Sequence, residues 1–209
     1  MFGLAPEVLR WIDERVSAES RTLETGCGLS TAMFARAGAD HTCVVPAASE
    51  IAALRVWASE RDISLDRVRF VEAPSDQVLP TLDLGELDLV LVDGSHSFPV
   101  PFIDWYYTEK ALKVGGTMVI DDTQIWTGRV LRDFLRGEPG WTTAEEWPAR
   151  SVAFTKGAEA KAARMWKRQP YVAKHSPDGL RGSAYRALET LKIDGPRALL
   201  DRIKQSRGR

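Results

Sequence analysis

The alternation of short apolar runs with amphipathic runs constrains the fold of this chain more than any other feature. The apolar runs "HTCVV" and "LDLVLV" are each followed, after a short link, by a stretch that has apolar residues at helical spacing. Continuous apolar strands that alternate with helices are typical of a parallel sheet covered by helices on both faces. The pattern therefore predicts an α/β fold with a Rossmann-like, doubly wound, mostly parallel sheet of seven strands.

The end of the alternation predicts two further features. The runs "WTTAEEW" and "SVAFTKG" are joined by only a few residues around "PARS", too few for a crossover helix, so we expect an antiparallel last strand. After residue 157 the strand pattern stops, and prolines interrupt the remaining helical stretches. We therefore expect one domain over residues 1–157 and a helical C-terminal extension over residues 158–209.

Charge and hydropathy limit the partners. The net charge is −1, but the 158–209 extension holds 13 Lys and Arg against five acids. A basic extension can contact nucleic acid or a neighbouring subunit of a homo-oligomer, and a solvated helical face explains it as well. The acidic body and the lack of a base-modification motif argue against nucleic acid. No apolar run could cross a membrane and the N-terminus lacks signal-peptide features, so we expect a cytoplasmic protein without a membrane partner.

A glycine turn follows the first predicted strand. In "LETGCGLST", residues 23–31, Glu24 precedes Gly26 and Gly28. Glycines let the backbone approach a ligand closely, and the start of the next helix offers free N–H groups. The dinucleotide-binding fingerprint needs a third glycine, where this chain has Thr31. The acid would repel a pyrophosphate, and it favours a ligand that carries an ammonium group.

Acids end two later strands. Asp93 ends "LDLVLVD", and Asp121 and Asp122 end "MVIDD". If these strands are neighbours, the three carboxylates converge at the edge of the sheet where ligands bind. Such carboxylates repel each other unless a cation lies between them, and oxygen ligands favour Mg²⁺, Ca²⁺ or Mn²⁺ over zinc. His96 follows on the same loop as a candidate general base. A turn residue and a helix N-cap are the alternative roles for the acids.

Together these motifs resemble those of class I S-adenosylmethionine-dependent methyltransferases, over roughly residues 5–157. "LETGCGLST" is similar to the first motif of that family, which cradles the amino acid part of the cofactor. The resemblance implies that S-adenosylmethionine is the cofactor and that Glu24, Gly26, Gly28 and Ser30 bind it.

"VDGSHSF" and "MVIDDT" resemble a narrower group, the metal-dependent O-methyltransferases of natural-product and sugar tailoring, such as macrocin O-methyltransferase. This resemblance implies that Asp93, Asp121 and Asp122 bind Mg²⁺ or another divalent cation. It also makes His96 and Asp93 the catalytic residues, with Asp93 next to the cofactor. The expected reaction is O-methylation of a small hydroxylated acceptor.

The sequence departs from the family pattern at two positions. Val45 stands where an acid usually binds the ribose, and Glu50 is the nearest acid that could replace it. Pro74 stands where an acid usually contacts the adenine amino group, which leaves Ser75 and Asp76 as substitutes. Each lost hydrogen bond costs about 1 to 3 kcal/mol. The departures leave an alternative open: a degenerate member that binds another small molecule or acts as a non-catalytic scaffold.

Overall fold

The structure is a computed structural model that describes residues 3–158, 160, 166–176, 179–198 and 200. The chain divides into two compact units, Met1–Ala162 and Ala163–Arg209. The domain boundary that the sequence predicts after residue 157 stays a prediction. Among the described residues, no helix is both long enough and apolar enough to cross a membrane.

The first unit contains a sheet of seven strands with helices between them. Strands β1 to β5 run parallel, and β7 is antiparallel to both of its neighbours, β5 and β6. The predicted mostly parallel sheet with an antiparallel last strand is therefore confirmed. The strands are β1 (Arg21–Thr25), β2 (Asp40–Val44), β3 (Val68–Val71), β4 (Leu87–Val92), β5 (Leu112–Ile120), β6 (Trp141–Trp147) and β7 (Ser151–Lys156), in the spatial order β3-β2-β1-β4-β5-β7-β6.

Helices cover the sheet where the sequence has amphipathic runs. Val8 and Ile12 of the first helix are completely buried and pack with Phe34 of the second helix against Leu91 and Val119 of the sheet. Burial of this kind accounts for the helical spacing of the apolar residues. The helices are α1 (Pro6–Asp13), α2 (Leu29–Arg36), α3 (Ala48–Ser59), α4 (Ser75–Val78), α5 (Val100–Thr108) and α6 (Trp126–Gly137).

The strand order reverses between β1 and β4, and this reversal positions the site. In open α/β sheets, ligands bind in the crevice beyond the carboxyl ends of the strands at such a point. The ends of three strands are level there: the Asp93 N–H donates to the Thr25 carbonyl at 3.1 Å, and the Asp121 N–H donates to the Val92 carbonyl at 3.0 Å. The residues that follow β1, β4 and β5 therefore meet at one edge.

The second unit is helical where it is described. It contains a 3-10 helix (Trp166–Arg168), α7 (Pro170–His175) and α8 (Gly179–Ile193). Pro170 lies in the first turn of α7, where its missing N–H costs nothing. Within α7, His175 Nδ1 lies 2.8 Å from the Tyr171 carbonyl oxygen.

Candidate functional site

A cavity of about 1060 Å³ opens at the carboxyl edge of the sheet. Its wall is built by the glycine turn after β1, the end of β2, the start of α4, the loops after β4 and β5, and the turn between β6 and β7. Most of the residues that the sequence assigns to a site lie on this wall, and Glu24 and Ser30 do not. The assigned wall residues are Gly26, Gly28, Glu50, Ser75, Asp76, Asp93, His96, Asp121 and Asp122.

The glycine turn holds three strands together at close range. Gly26 has a φ of +102°, and a Cβ on it would collide with the Asp93 carbonyl oxygen. Its N–H donates to the Val44 carbonyl at 2.9 Å, and the Gly28 N–H donates to Thr31 Oγ1 at 3.0 Å. The requirement for glycine at position 26 is therefore both conformational and steric. The same lack of a side chain opens the turn to the cavity.

Glu24 lies behind this turn and is bound within the protein. Its carboxylate is 1% exposed and accepts hydrogen bonds from Ser30 Oγ at 2.6 Å and from Thr31 Oγ1, while His41 Nε2 lies 3.1 Å from it. The other ring nitrogen of His41 pairs with Thr22 Oγ1 at 2.8 Å. The proposed contact of Glu24 and Ser30 with a cofactor stays a prediction, and the contacts they make here are with the protein.

The acids after β4 and β5 form a cluster with a histidine. Asp93, His96 and Asp122 each offer one ligand atom, and these atoms all lie within 4.8 Å of one another. His96 Nε2 is 2.8 Å from Asp122 Oδ2. Asp121, which the sequence groups with the other two acids, also reaches the cavity wall, but its carboxylate accepts a hydrogen bond from Ser151 Oγ. His96 thus takes the position in the cluster that the sequence gives to Asp121, whose role as a metal ligand stays a prediction.

Charge is concentrated in this cluster. Burial, and after it the nearby carboxylates of Asp121, Glu24 and Asp122, together raise the pKa of Asp93 to about 8. Burial also raises the pKa of Asp121, which the Ser151 hydroxyl partly offsets. Carboxylates in such a site favour a proton or a cation between them.

The loop that carries His96 is tied to α6. Thr127 Oγ1 donates a hydrogen bond to the His96 carbonyl at 2.6 Å. At the next position, a Cβ on Gly128 would lie 2.8 Å from the Asp122 carbonyl oxygen, so α6 packs directly on the segment that ends β5. Asp122 itself has a φ of +52°, a conformation that few residues other than glycine and Asn or Asp adopt. The two cluster residues are thus fixed by one helix.

Comparison with known proteins relates the chain to methyltransferases. A family profile described as "Methyltransferase domain" matches residues 23–123, from the glycine turn to the acids after β5. No curated protein sequence matches the chain. A solved Corynebacterium glutamicum protein matches with a TM-score of 0.64 and 16% identity, over 78% of this chain and 86% of that one. This profile and the fold agree. Sequence profile and fold thus both relate the chain to class I S-adenosylmethionine-dependent methyltransferases.

Two solved methyltransferases show the same fold with ligands. The O-methyltransferase TomG of Streptomyces achromogenes, in complex with SAM, has a TM-score of 0.59 and 18% identity over 75% of this chain and 82% of its own. The SAH-bound Podospora anserina methyltransferase PaMTH1 has a TM-score of 0.56 and 21% identity over 72% of this chain and 76% of its own. At these identities the likeness shows a shared fold.

The two departures from the family pattern lie on the wall of the methyltransferase cavity. Val45 is buried, and its N–H donates to the Val71 carbonyl at 3.0 Å. Glu50, in the first turn of α3, is exposed on the wall. Ser75 begins α4 directly after Pro74 and is 8% exposed, whereas Asp76 is exposed. The predicted substitutes are therefore on the cavity wall.

Sequence reasoning pointed to Trp126 as a residue near the acceptor, but it missed two residues beside the cluster, Phe98 and Arg150. Phe98 and Trp126 are 68% and 55% exposed, and their ring centroids lie 6.1 Å apart. Arg150, from the turn between β6 and β7, lies on the cavity wall, and its positive charge lowers the pKa of Asp93 and Asp121 against the effect of burial. A single aromatic residue in a loop, such as Phe98, carries no local signal, and Arg150 reaches the site only through the pairing of β7 with β5.

Proposed function

We propose that this protein is a methyltransferase that transfers a methyl group from S-adenosylmethionine to a hydroxyl oxygen of a small acceptor, with the help of a divalent cation. The observation that carries the proposal is the cluster of Asp93, His96 and Asp122, whose ligand atoms lie within 4.8 Å of one another on the cavity wall. The likeness to TomG, an O-methyltransferase in complex with SAM, supports the same class of reaction.

The cavity wall supplies groups for each part of the cofactor. The glycine turn and the free N–H groups at the start of α2 suit the carboxylate of the methionine part. In this proposal Glu50 would bind the ribose, and Ser75 and Asp76 the adenine; all three residues lie on the cavity wall. Asp93 belongs to the acid cluster and its backbone lies against Gly26 of the turn, so the sulfonium would be held close to the acceptor.

The donor set fits a divalent cation. Two carboxylates and one imidazole are ligands that Mg²⁺ and Mn²⁺ accept. Burial first, and neighbouring carboxylates second, raise the pKa of Asp93 to about 8, and a bound cation would offset both effects. When bound, a divalent cation there lowers the pKa of an acceptor hydroxyl and fixes its position. In this arrangement His96 is a ligand, and its role as general base is the alternative. Asp121, held by Ser151, adds negative charge behind the three ligands.

The aromatic pair suits the acceptor. Phe98 lies two residues after His96, and Trp126 precedes the threonine that holds the His96 carbonyl. Exposed rings at the edge of a cavity provide flat apolar surface for a ring-bearing acceptor. Much of the rate would come from orientation of the hydroxyl toward the methyl group in a site that excludes water.

Calorimetric titration tests the cofactor first. The chain is titrated with S-adenosylmethionine and S-adenosylhomocysteine, each with Mg²⁺ and with a chelator. We expect micromolar dissociation constants, which would show that other groups compensate for Val45 and Pro74. Absence of binding in both conditions would contradict the proposal and favour the degenerate alternative.

Binding of Mn²⁺ tests the metal site. Followed by electron paramagnetic resonance, the affinity should fall at least about tenfold in Asp93→Ala and in Asp122→Ala, because each removes a charged ligand. Turnover should be lost in both variants while the fold is kept. Asp66→Ala is the matched control, since this aspartate is exposed and lies before β3, at the opposite edge of the sheet. Unchanged Mn²⁺ affinity in both cluster variants would contradict the metal site.

A further inference from the structure

Asp104 is a buried acid for which the proposed reaction has so far no use. It lies in α5 and is completely buried, and neither of its carboxylate oxygens makes a hydrogen bond of ordinary geometry with the described residues. Burial raises its pKa to about 6. A buried carboxylate without well-formed hydrogen bonds destabilises the folded state, so its presence in α5 needs a physical reason.

Two hydroxyl groups lie between Asp104 and the cavity. Ser75 and Thr25 are both on the cavity wall and both nearly buried, and each lies near enough to lower the pKa of Asp104 by hydrogen bonding. The contacts between these hydroxyls and Asp104 are close but fall short of ordinary hydrogen-bond geometry. Thr25 Oγ1, like the Asp104 oxygens, has no partner of ordinary geometry among the described residues. The packing of α4 against α5 brings Ser75 to the carboxylate. Asp104 is therefore placed directly behind two hydroxyls of the wall.

A carboxylate behind a hydroxyl decides what that hydroxyl offers to a ligand. An ionised carboxylate only accepts hydrogen bonds, so the hydroxyl must donate its single hydrogen toward it. The oxygen then presents its lone pairs to the cavity. With Asp104 behind it, the Ser75 oxygen accepts a hydrogen bond from the cavity side, so a ligand beside Ser75 must carry a hydrogen-bond donor.

The shape of the cavity indicates which part of the cofactor lies beside Ser75. The glycine turn suits the carboxylate end, and the acid cluster marks the place of methyl transfer. The rest of the wall, which includes Ser75, carries the apolar side chains of Val45, Leu54 and Pro74, which suit a flat ring. The ring of the cofactor is adenine, and its exocyclic amino group is a donor. Pro74 has neither a polar side chain nor an N–H with which to meet it.

On the basis of the proposed function, we propose that Asp104 is a positioning residue: it orients the Ser75 hydroxyl so that the Ser75 oxygen accepts a hydrogen bond from the adenine amino group of S-adenosylmethionine. The pair thereby takes over the task for which Pro74 has no group. The chain should then prefer an adenine cofactor to one with a 6-oxo purine, which would present an acceptor to an acceptor.

Titration with two ligands that differ only at this group tests the inference. S-adenosylhomocysteine and its deaminated form, S-inosylhomocysteine, are titrated into the wild-type chain and into Asp104→Asn and Ser75→Ala at about pH 8, where the Asp104 carboxyl is ionised. The wild type should bind the adenine form at least about tenfold more tightly. In Asp104→Asn the amide can donate to Ser75, which frees the hydroxyl hydrogen to face the ligand, so the preference should fall to about threefold or less. Ser75→Ala should show the same loss.

Glu109→Gln is the matched control. Glu109 is also a buried acid at the end of α5, but it pairs with Lys156 at 3.3 Å, away from the cavity wall. This variant should lose stability and keep the ligand preference of the wild type. The ratio of the two affinities, which a merely structural role of Asp104 would not change, is thus the deciding readout.

The outcomes separate this inference from the proposed function. If the wild type binds neither ligand, the proposed function fails and the inference fails with it. If the wild type prefers the adenine form and Asp104→Asn keeps that preference, or if Asp76→Asn alone removes it, only the inference is overturned. If Asp104→Asn does not fold, an unchanged preference in Ser75→Ala overturns the inference equally well.

Discussion

Two groups of acids lie at the same edge of one sheet and differ in burial and in their partners: Glu24 near the end of β1, and the acids that follow β4 and β5. Glu24 is buried with Ser30, Thr31 and His41 around its carboxylate. Asp93 and Asp122 are partly exposed on the cavity wall, near each other and near further negative charge. An acid whose partners are all internal stabilises the fold, whereas acids that face one another reduce stability until something binds between them. The comparison therefore separates an acid whose hydrogen-bond partners are internal from acids that face one another on the cavity wall.

Glu24→Ala, which removes the buried acid, should give the largest loss in the free energy of unfolding. It leaves two hydroxyls and a histidine ring buried without their acceptor, so we expect a loss of roughly 3 kcal/mol in the free energy of unfolding. Urea unfolding measures it, and Glu50→Ala, at an exposed acid, should change stability by less than about 0.5 kcal/mol. A loss below about 1 kcal/mol together with abolished S-adenosylhomocysteine binding would instead make Glu24 a direct ligand, as the sequence predicts.

Gly26→Ala tests the turn that separates the two kinds of acid. A methyl group there meets both a φ of +102° and the backbone of Asp93, so we expect a loss of about 2 to 3 kcal/mol. Gly115→Ala is the matched control, because Gly115 also has a positive φ, +83°, but has open space around it, and its loss should be about 1 kcal/mol. Equal losses, measured by urea unfolding, would show that the contact with β4 contributes nothing.

The sequence predicts the edge at which these acids meet, because strand ends can be located from apolar runs. The run "MVIDD" locates the end of β5 but not its start: the strand begins at Leu112, and its pairing with β4 shifts in register between Leu87 and Leu89. The positive φ of Gly115 lies within this irregular stretch, which a regular strand pattern does not reveal.

The sequence does not reveal which partner each of these acids has in the folded chain. Glu24 finds His41 through the pairing of β1 with β2, and Asp121 finds Ser151 through the pairing of β5 with β7. These partners are 17 and 30 residues apart in the chain, so no local pattern contains them. His96 joins the cluster because Thr127 holds its loop, another contact between distant segments.

The pH dependence of stability sharpens the second side of the comparison. Because the pKa of Asp93 is about 8 in the folded chain and about 4 in an unfolded one, the folded state binds more protons between these values. With a chelator present, the free energy of unfolding should therefore fall by about 1 to 2 kcal/mol as the pH rises from about 6.5 to 8.

Thermal unfolding across that pH range measures the effect. Asp104, whose pKa is about 6, loses its proton mostly below this range, so the fall can be assigned to the cluster. Asp93→Asn should flatten the profile, and Mg²⁺ should restore stability at the alkaline end by binding the folded state. If the stability of the wild type does not change with pH over this range, the acids of the cluster do not destabilise the folded state.

Thr127→Val gives the smallest effect and tests whether His96 belongs with the acids. The variant removes the hydrogen bond to the His96 carbonyl at 2.6 Å and keeps the side-chain volume, so the loss in the free energy of unfolding should be about 1 kcal/mol. If His96 is a metal ligand, a looser loop should also weaken Mn²⁺ binding by about threefold to tenfold. Thr142→Val, at an exposed site on β6, should change neither quantity. Lost stability with unchanged Mn²⁺ affinity would remove His96 from the ligand set and return it to the role of a free base beside Asp122.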